Sequence, residues 1–205
     1  FEAVLDRAQK DMLELMGLSG DEYAVMFLGG GASMQFCMIP YNFLNPDATA
    51  DDVNTGEWST RAIKEAKLFG RVNVAASSED ANFNYVPTSF NLTPGAAYVH
   101  TTSNNTIFGT RMKAFPETGG VPHICDMCSD FLSRRLDFSR FSIIYAGAQK
   151  NIGPSGVAAV ITRKSFIEKA KDGLPTMLSY KTHLKNNSLY NTPPVFPIYV
   201  VGLVL

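Results

Sequence analysis

The chain has 205 residues, 45% of them hydrophobic and 18% charged, which is enough apolar material for a sizeable core and too little charge for a disordered chain. Its 18 basic and 19 acidic residues nearly cancel, so a nucleic acid or an anionic membrane as partner has no electrostatic support. The longest apolar run, Ile198 to Leu205 broken only by Gly202, falls far short of the roughly 20 residues that span a bilayer. The chain reads as soluble and globular.

Phe1, Val4, Leu5, Ala8, Met12 and Met16 recur at steps of three and four, which predicts an amphipathic helix ended by Gly17 and Gly20. Tyr23 to Leu28 is a short apolar strand leading into Gly29-Gly30-Gly31, and Ala32 to Asn42 a helix after it. Ala48 to Gly56 reads as the next strand and Glu57 to Phe69 as a helix closed by Gly70. Further strands are expected at Val72 to Ala76, Ala97 to Thr101, Val121 to Cys125, Phe141 to Tyr145 and Gly156 to Thr162. Lys164 to Lys171 reads as a helix ended by Gly173, and Pro193-Pro194 leads into a buried helix from Val195 to Leu205. The alternation predicts an α/β fold, a mostly parallel sheet with helices on both faces. Residues 1 to 205 read as one domain or most of one, and both ends as cuts through a longer domain.

Three cysteines, Cys37, Cys125 and Cys128, make no disulfide framework, and an odd count fits a reducing, cytoplasmic setting. Cys125 and Cys128 form a lone C-x-x-C. His100, His123 and His183 are not placed to complete a zinc site, so buried thiols are the simpler reading and no metal is expected.

Ligands of open α/β sheets bind beyond the carboxyl ends of the strands, so the residues just after each predicted strand matter most. Gly29-Gly30-Gly31-Ala32-Ser33 lies between a strand and a helix, where free N–H groups and the helix dipole favour a phosphate. A flexible turn is the plainer alternative. Trp58, the one tryptophan, stands at a helix start, where it either packs or stacks on a planar ring. Asp126 emerges at a strand end, 24 residues before Lys150. Lys150 itself lies among small residues in Ala146-Gly147-Ala148-Gln149-Lys150; on this local sequence a surface-loop lysine is the plainer reading, and a lysine desolvated enough to suit a Schiff base is the sharper alternative. Taken together, a lysine for an aldehyde, a carboxylate for a ring nitrogen, an aromatic face and phosphate donors match what pyridoxal phosphate requires.

The segment SIIYAGAQKNIGPSG (Ser142 to Gly156) closely resembles the cofactor-lysine motif of the phosphoserine aminotransferases, a family of fold-type-I pyridoxal phosphate enzymes. The resemblance continues through GGGASMQF (Gly29 to Phe36), TGEWSTRAIKEAK (Thr55 to Lys67), TSNNTIFG (Thr102 to Gly109) and SLYNTPPVF (Ser188 to Phe196). It covers nearly the whole chain in order. It implies Lys150 as the Schiff-base lysine and proton shuttle, Asp126 as partner of the ring nitrogen, Trp58 as stacking face and Thr106 as donor to the phenolic oxygen. It also implies that Ala32, Ser33 and Gln149 hold the phosphate, and that Asn191 and Thr192 reach the phosphate of a neighbouring subunit, which requires a homodimer. The implied reaction is ping-pong amino transfer between glutamate and 3-phosphohydroxypyruvate, giving phosphoserine and 2-oxoglutarate in serine biosynthesis. A related activity in vitamin B6 synthesis is left open.

The sequence departs from the family in two ways. Ala32-Ser33 stands where many members have an arginine after the glycine run, a change other members share. The family's substrate-gripping arginines lie mainly in an N-terminal arm and a C-terminal small domain, which this chain lacks, while Arg134-Arg135 reads as structural. A non-catalytic fragment that binds the cofactor or dimerises is therefore the alternative. A cofactor-free Schiff-base enzyme using Lys150 is a third reading, which Asp126 and Trp58 argue against.

Overall fold

In the computed structural model, which describes residues 1–205, the elements follow the chain in near-regular alternation. They begin with α1 (Glu2–Met16), β1 (Tyr23–Leu28), α2 (Gly31–Phe43), β2 (Thr49–Asn54), α3 (Glu57–Ala66) and β3 (Arg71–Ser77). After a long irregular stretch come β4 (Val99–Thr102), a small hairpin of β5 (Asn104–Asn105) and β6 (Thr110–Arg111), then β7 (His123–Asp126) and β8 (Ile143–Gly147). The chain closes with β9 (Ala158–Arg163), a single turn α4 (Lys164–Ile167), α5 (Tyr180–Lys185) and α6 (Val195–Val204).

Seven strands form one sheet in the order β1-β9-β8-β7-β4-β2-β3. All pairs from β8 to β3 are parallel; only β9 runs against its neighbours, so the expected mostly parallel sheet is what forms. Alternate strand residues enter two separate cores. Tyr23, Val25 and Phe27 of β1 pack with Leu5, Ala8 and Met12 of α1 on one face, while Met26 and Leu28 pack with Phe36 and Ile39 of α2 on the other. The same period of two divides Ile144 and Ala146 from Ile143 and Tyr145 in β8. Helices cover both faces, as a parallel sheet requires.

β4, β7 and β8 are buried along their whole length yet carry polar side chains, most of which pair with one another or with neighbouring strands. His100 bonds through Nδ1 to Asp52 Oδ1 at 2.9 Å and through Nε2 to the Tyr145 hydroxyl at 2.8 Å. His123 Nε2 lies 2.9 Å from Thr101 Oγ1. Burial lowers the His123 pKa to about 3, with the Arg140 and His100 charges pulling the same way.

Two helix expectations are corrected. The helix read to Lys171 is a single turn, because Lys171 turns its N–H to the Asn42 carbonyl and its ammonium to the Leu44 carbonyl. α6 is not a buried helix. Only Ile198 and Val201 are buried against α1, and Phe196, Tyr199, Leu203 and Val204 are exposed. Gly202 passes Ala8 closely enough that a Cβ would sit 3.4 Å from the alanine Cβ, which fixes the narrow stripe α6 presents to α1.

Candidate active site

A cleft of about 170 Å³ opens at the carboxyl ends of β4, β7 and β8 and the N-terminus of α2. It is walled by Ala32, Ser33, Trp58, Thr106, Asp126, Gln149 and Lys150, seven of the nine positions that the resemblance assigns to the cofactor. Asn191 and Thr192 lie elsewhere and are exposed, and Asn191 borders a different cavity together with Leu28, Met34 and His183.

The floor of the cleft begins where β1 ends. Gly30 caps α2 in a left-handed conformation (φ 80°), and a Cβ there would stand 2.6 Å from that of Met34, so the turn needs glycine. No side chain caps this helix. The first N–H groups, Gly31 to Ser33, have no carbonyl a turn earlier to accept them and face an exposed rim, which makes them anion donors.

Trp58 is set by the turn before α3. Ser59 Oγ accepts the Thr55 and Gly56 N–H groups at 2.9 and 3.0 Å, closing the helix start. Buried Asn105 ties this turn to the next loop: its Nδ2 donates to the Thr55 carbonyl at 2.8 Å, and its Oδ1 accepts the N–H groups of Ile107 and Phe108. One side chain thus holds together the loops that carry Trp58 and Thr106.

Asp126 ends β7, 3% exposed, with Oδ1 accepting the Cys128 N–H at 2.9 Å. Burial raises its pKa; the Cys128 hydrogen bonds and the nearby His100 and Lys150 oppose the rise. None of the chain's salt bridges includes it. A buried carboxylate of this kind calls for a cationic hydrogen-bond donor.

Lys150 is exposed, as the plainer surface-loop reading had it, because it lies three residues past the end of β8 on the open side of the cleft. Its Nζ donates to Thr106 Oγ1 at 3.1 Å and stands 5.4 Å from the centre of the Trp58 ring. Beside it, the Gln149 amide folds over Gly147, whose missing side chain leaves the room: a Cβ there would lie 2.7 Å from Gln149 Oε1. An exposed primary amine, a desolvated carboxylate, an indole wall and an anion-binding helix start can together hold and activate a phosphorylated aromatic aldehyde.

Thr102, Asn104 and Ser129 also line the cleft and were not singled out from sequence, and Cys128, noted there only as a buried thiol, lines it too. All lie within three residues of β4, β7 or the hairpin, so the strand-end rule that found Asp126 could have found them. Thr102 Oγ1 is buried without a hydrogen-bond partner. Cys125 and Cys128 are buried free thiols, as the cysteine pattern suggested, and burial pushes both pKa values up.

The class-V aminotransferase family matches residues 1–205, the whole chain. A phosphoserine aminotransferase of Desulfosudis oleivorans is 58% identical across the full chain, which spans 57% of that relative. Among solved structures, the phosphoserine aminotransferase of Bacillus circulans subsp. alkalophilus superposes with a TM-score of 0.96 at 54% identity, over 99% of this chain and 56% of that one. A PLP-bound phosphoserine aminotransferase from Trichomonas vaginalis superposes with a TM-score of 0.89 at 34% identity, covering 99% and 58%. The chain thus spans somewhat more than half the length of the proteins it resembles.

Proposed function

The chain belongs to the class-V aminotransferase family, and from that premise we propose that it is the large-domain portion of a phosphoserine aminotransferase. The reaction proposed is amino transfer between glutamate and 3-phosphohydroxypyruvate, giving phosphoserine and 2-oxoglutarate, in a cytoplasmic homodimer. The observation that carries this reading is the convergence of Lys150, Asp126, Trp58 and the uncapped start of α2 on one cleft.

The residues fit pyridoxal phosphate. The open N–H groups of Ala32 and Ser33, with the Gln149 amide, suit its phosphate, and the indole of Trp58 suits a flat ring. Asp126, buried and outside every salt bridge, suits a protonated ring nitrogen, since a desolvated carboxylate gains most from such a donor. When bound, the cofactor supplies an aldehyde and a cationic ring that takes up the electron pair left at the substrate Cα.

The chain's own side chains do the rest. Lys150 Nζ would hold the aldehyde and, when free, would carry the proton from the substrate Cα to the carbon that bore the aldehyde, and back again in the second half-reaction. Asp126 would keep the ring nitrogen protonated by its negative charge. Thr106, already within hydrogen-bond distance of Lys150, orients groups beside the amine. Asn191 and Thr192, exposed and outside the lining of their own cleft, are available to a neighbouring subunit. Purified chain supplied with pyridoxal phosphate, glutamate and 3-phosphohydroxypyruvate is expected to form 2-oxoglutarate, and no 2-oxoglutarate would refute catalysis by this chain.

A second reading has an observation of its own. No arginine lines the cleft, and a bidentate arginine is the usual means of orienting a substrate carboxylate. With about 57% of its relatives' length, the chain as it stands could then hold the cofactor and dimerise without turnover. Cofactor binding without 2-oxoglutarate selects this reading.

A further inference from the structure

Along one wall of the cleft, four side chains form an unbroken hydrogen-bonded row. Lys150 Nζ donates to Thr106 Oγ1 at 3.1 Å, Thr106 Oγ1 lies 2.9 Å from Ser129 Oγ, and Asn104 Nδ2 donates to Ser129 Oγ at 2.5 Å. Asn104 belongs to the hairpin, paired with Arg111, whereas Ser129 belongs to the turn that follows β7. The row therefore locks the hairpin loop that carries Thr106 onto the turn that follows Asp126.

A hydroxyl has one hydrogen and two acceptor sites. Ser129 accepts from the Asn104 amide and keeps a hydrogen and an acceptor site, so its contact with Thr106 can run either way. An anionic oxygen within reach of Thr106 selects the arrangement in which Ser129 donates: Thr106 then accepts from Ser129, and its own hydrogen is left for the anion. We infer that Asn104 and Ser129 are positioning residues that hold the Thr106 hydroxyl as a donor to an anionic oxygen in the cleft. This rests on the reading above, in which that oxygen is the cofactor's phenolic one.

The inference is tested by titrating the visible band of the chain loaded with pyridoxal phosphate against pH. A phenolate deprived of its donor is more basic, so the loaded cofactor keeps its proton to higher pH and the midpoint rises. Thr106→Val is expected to raise it by about one pH unit, the size of one hydrogen bond to a charged group. Ser129→Ala is expected to raise it by roughly half that, and to add nothing once Thr106 is replaced, because it acts through Thr106. Asn104→Ala is expected to raise it only in chains that keep Ser129. Ser129→Thr, which retains the hydroxyl, is expected to restore the wild-type midpoint. The other titratable groups of the cleft, Asp126, Cys128 and Lys150, and Arg61 over the Trp58 ring, are the same in every variant.

A Ser129→Ala midpoint equal to the wild type overturns the inference, as does a shift of equal size with and without Thr106. Failure of Ser129→Thr to restore the midpoint also overturns it. A wild-type chain that shows no visible band at all refutes the cofactor reading, and the inference falls with it.

Discussion

Gly56 and Asn105 fit each other like a peg and a slot: any Cβ at Gly56 would collide with the Asn105 carboxamide. Gly56 also holds φ 155° and ψ −163°, a region open in practice only to glycine. The contact sits between the loops of Trp58 and Thr106, so it couples the fold to the cleft. Gly56→Ala is predicted to cost on the order of 3 kcal/mol in denaturant unfolding, from backbone strain plus the collision. Because Trp58 is the only tryptophan, its emission should shift in the same variant. Unchanged stability and emission would show that the turn yields more easily than its geometry implies.

The start of α2 gives a second prediction. Gly30→Ala would bring a Cβ to 2.6 Å from Met34 at a left-handed position, moving the first N–H groups of the helix. Pyridoxal phosphate affinity is expected to fall about tenfold, the loss of roughly one charge-assisted hydrogen bond. Equilibrium dialysis of wild type and variant measures it. Equal affinities would mean the phosphate is held elsewhere.

Asp126 and Trp58 should differ in their effects on rate. Asp126→Asn removes a charge that acts where positive charge must persist during reaction, so amino transfer should fall by about 10²-fold or more. Trp58→Phe keeps an aromatic face and should cost less than about tenfold. Steady-state rates with glutamate decide the matter, and equal losses would reduce Asp126 to a cap on the Cys128 N–H.

His123 sets part of the acid limb of stability. Its folded pKa, about 3, lies below the unfolded value near 6.5, so only the unfolded state takes up its proton between those limits. The stabilisation is complete above pH 6.5 and is lost as pH falls towards 3. Between pH 6.5 and 5, above the carboxylate range, the slope from this group should steepen from about 0.7 to close to 1.4 kcal/mol per pH unit. Urea unfolding across that window should show the slope, and His123→Gln should flatten it. A slope unchanged by the substitution would place the acid sensitivity in other groups.

The sheet and the residues at its strand ends were readable because both follow from short-range pattern. Runs such as Ile143 to Gly147 are apolar on both sides, and a strand end is a place where chemistry is exposed by topology. What escaped depends on contacts far apart in sequence. α5 has no apolar periodicity; it forms because Tyr180 reaches Gln35 through a 2.6 Å hydrogen bond and Asn42 accepts its N–H. The small neighbours of Lys150 left desolvation open as an alternative, but Gly147 and Ala148 are buried by the sheet while the lysine lies beyond it. α6 looked buried because every residue is apolar, and only a partner surface could distinguish its stripe of Ile198 and Val201 from the rest. The row from Asn104 to Lys150 joins Thr106 and Lys150, which the sequence singled out, to Ser129 and Asn104, which it did not, and distance alone reveals it.

The central claim is that Lys150 is the amine that takes a pyridoxal aldehyde in this cleft. Incubating the chain with pyridoxal phosphate, reducing with borohydride and mapping the modified peptide by mass spectrometry tests it directly. One dominant pyridoxyl adduct is expected, on Lys150, and it is absent from Lys150→Ala. Adducts scattered over surface lysines such as Lys64, Lys67 and Lys185, or a dominant adduct that survives Lys150→Ala, would contradict it.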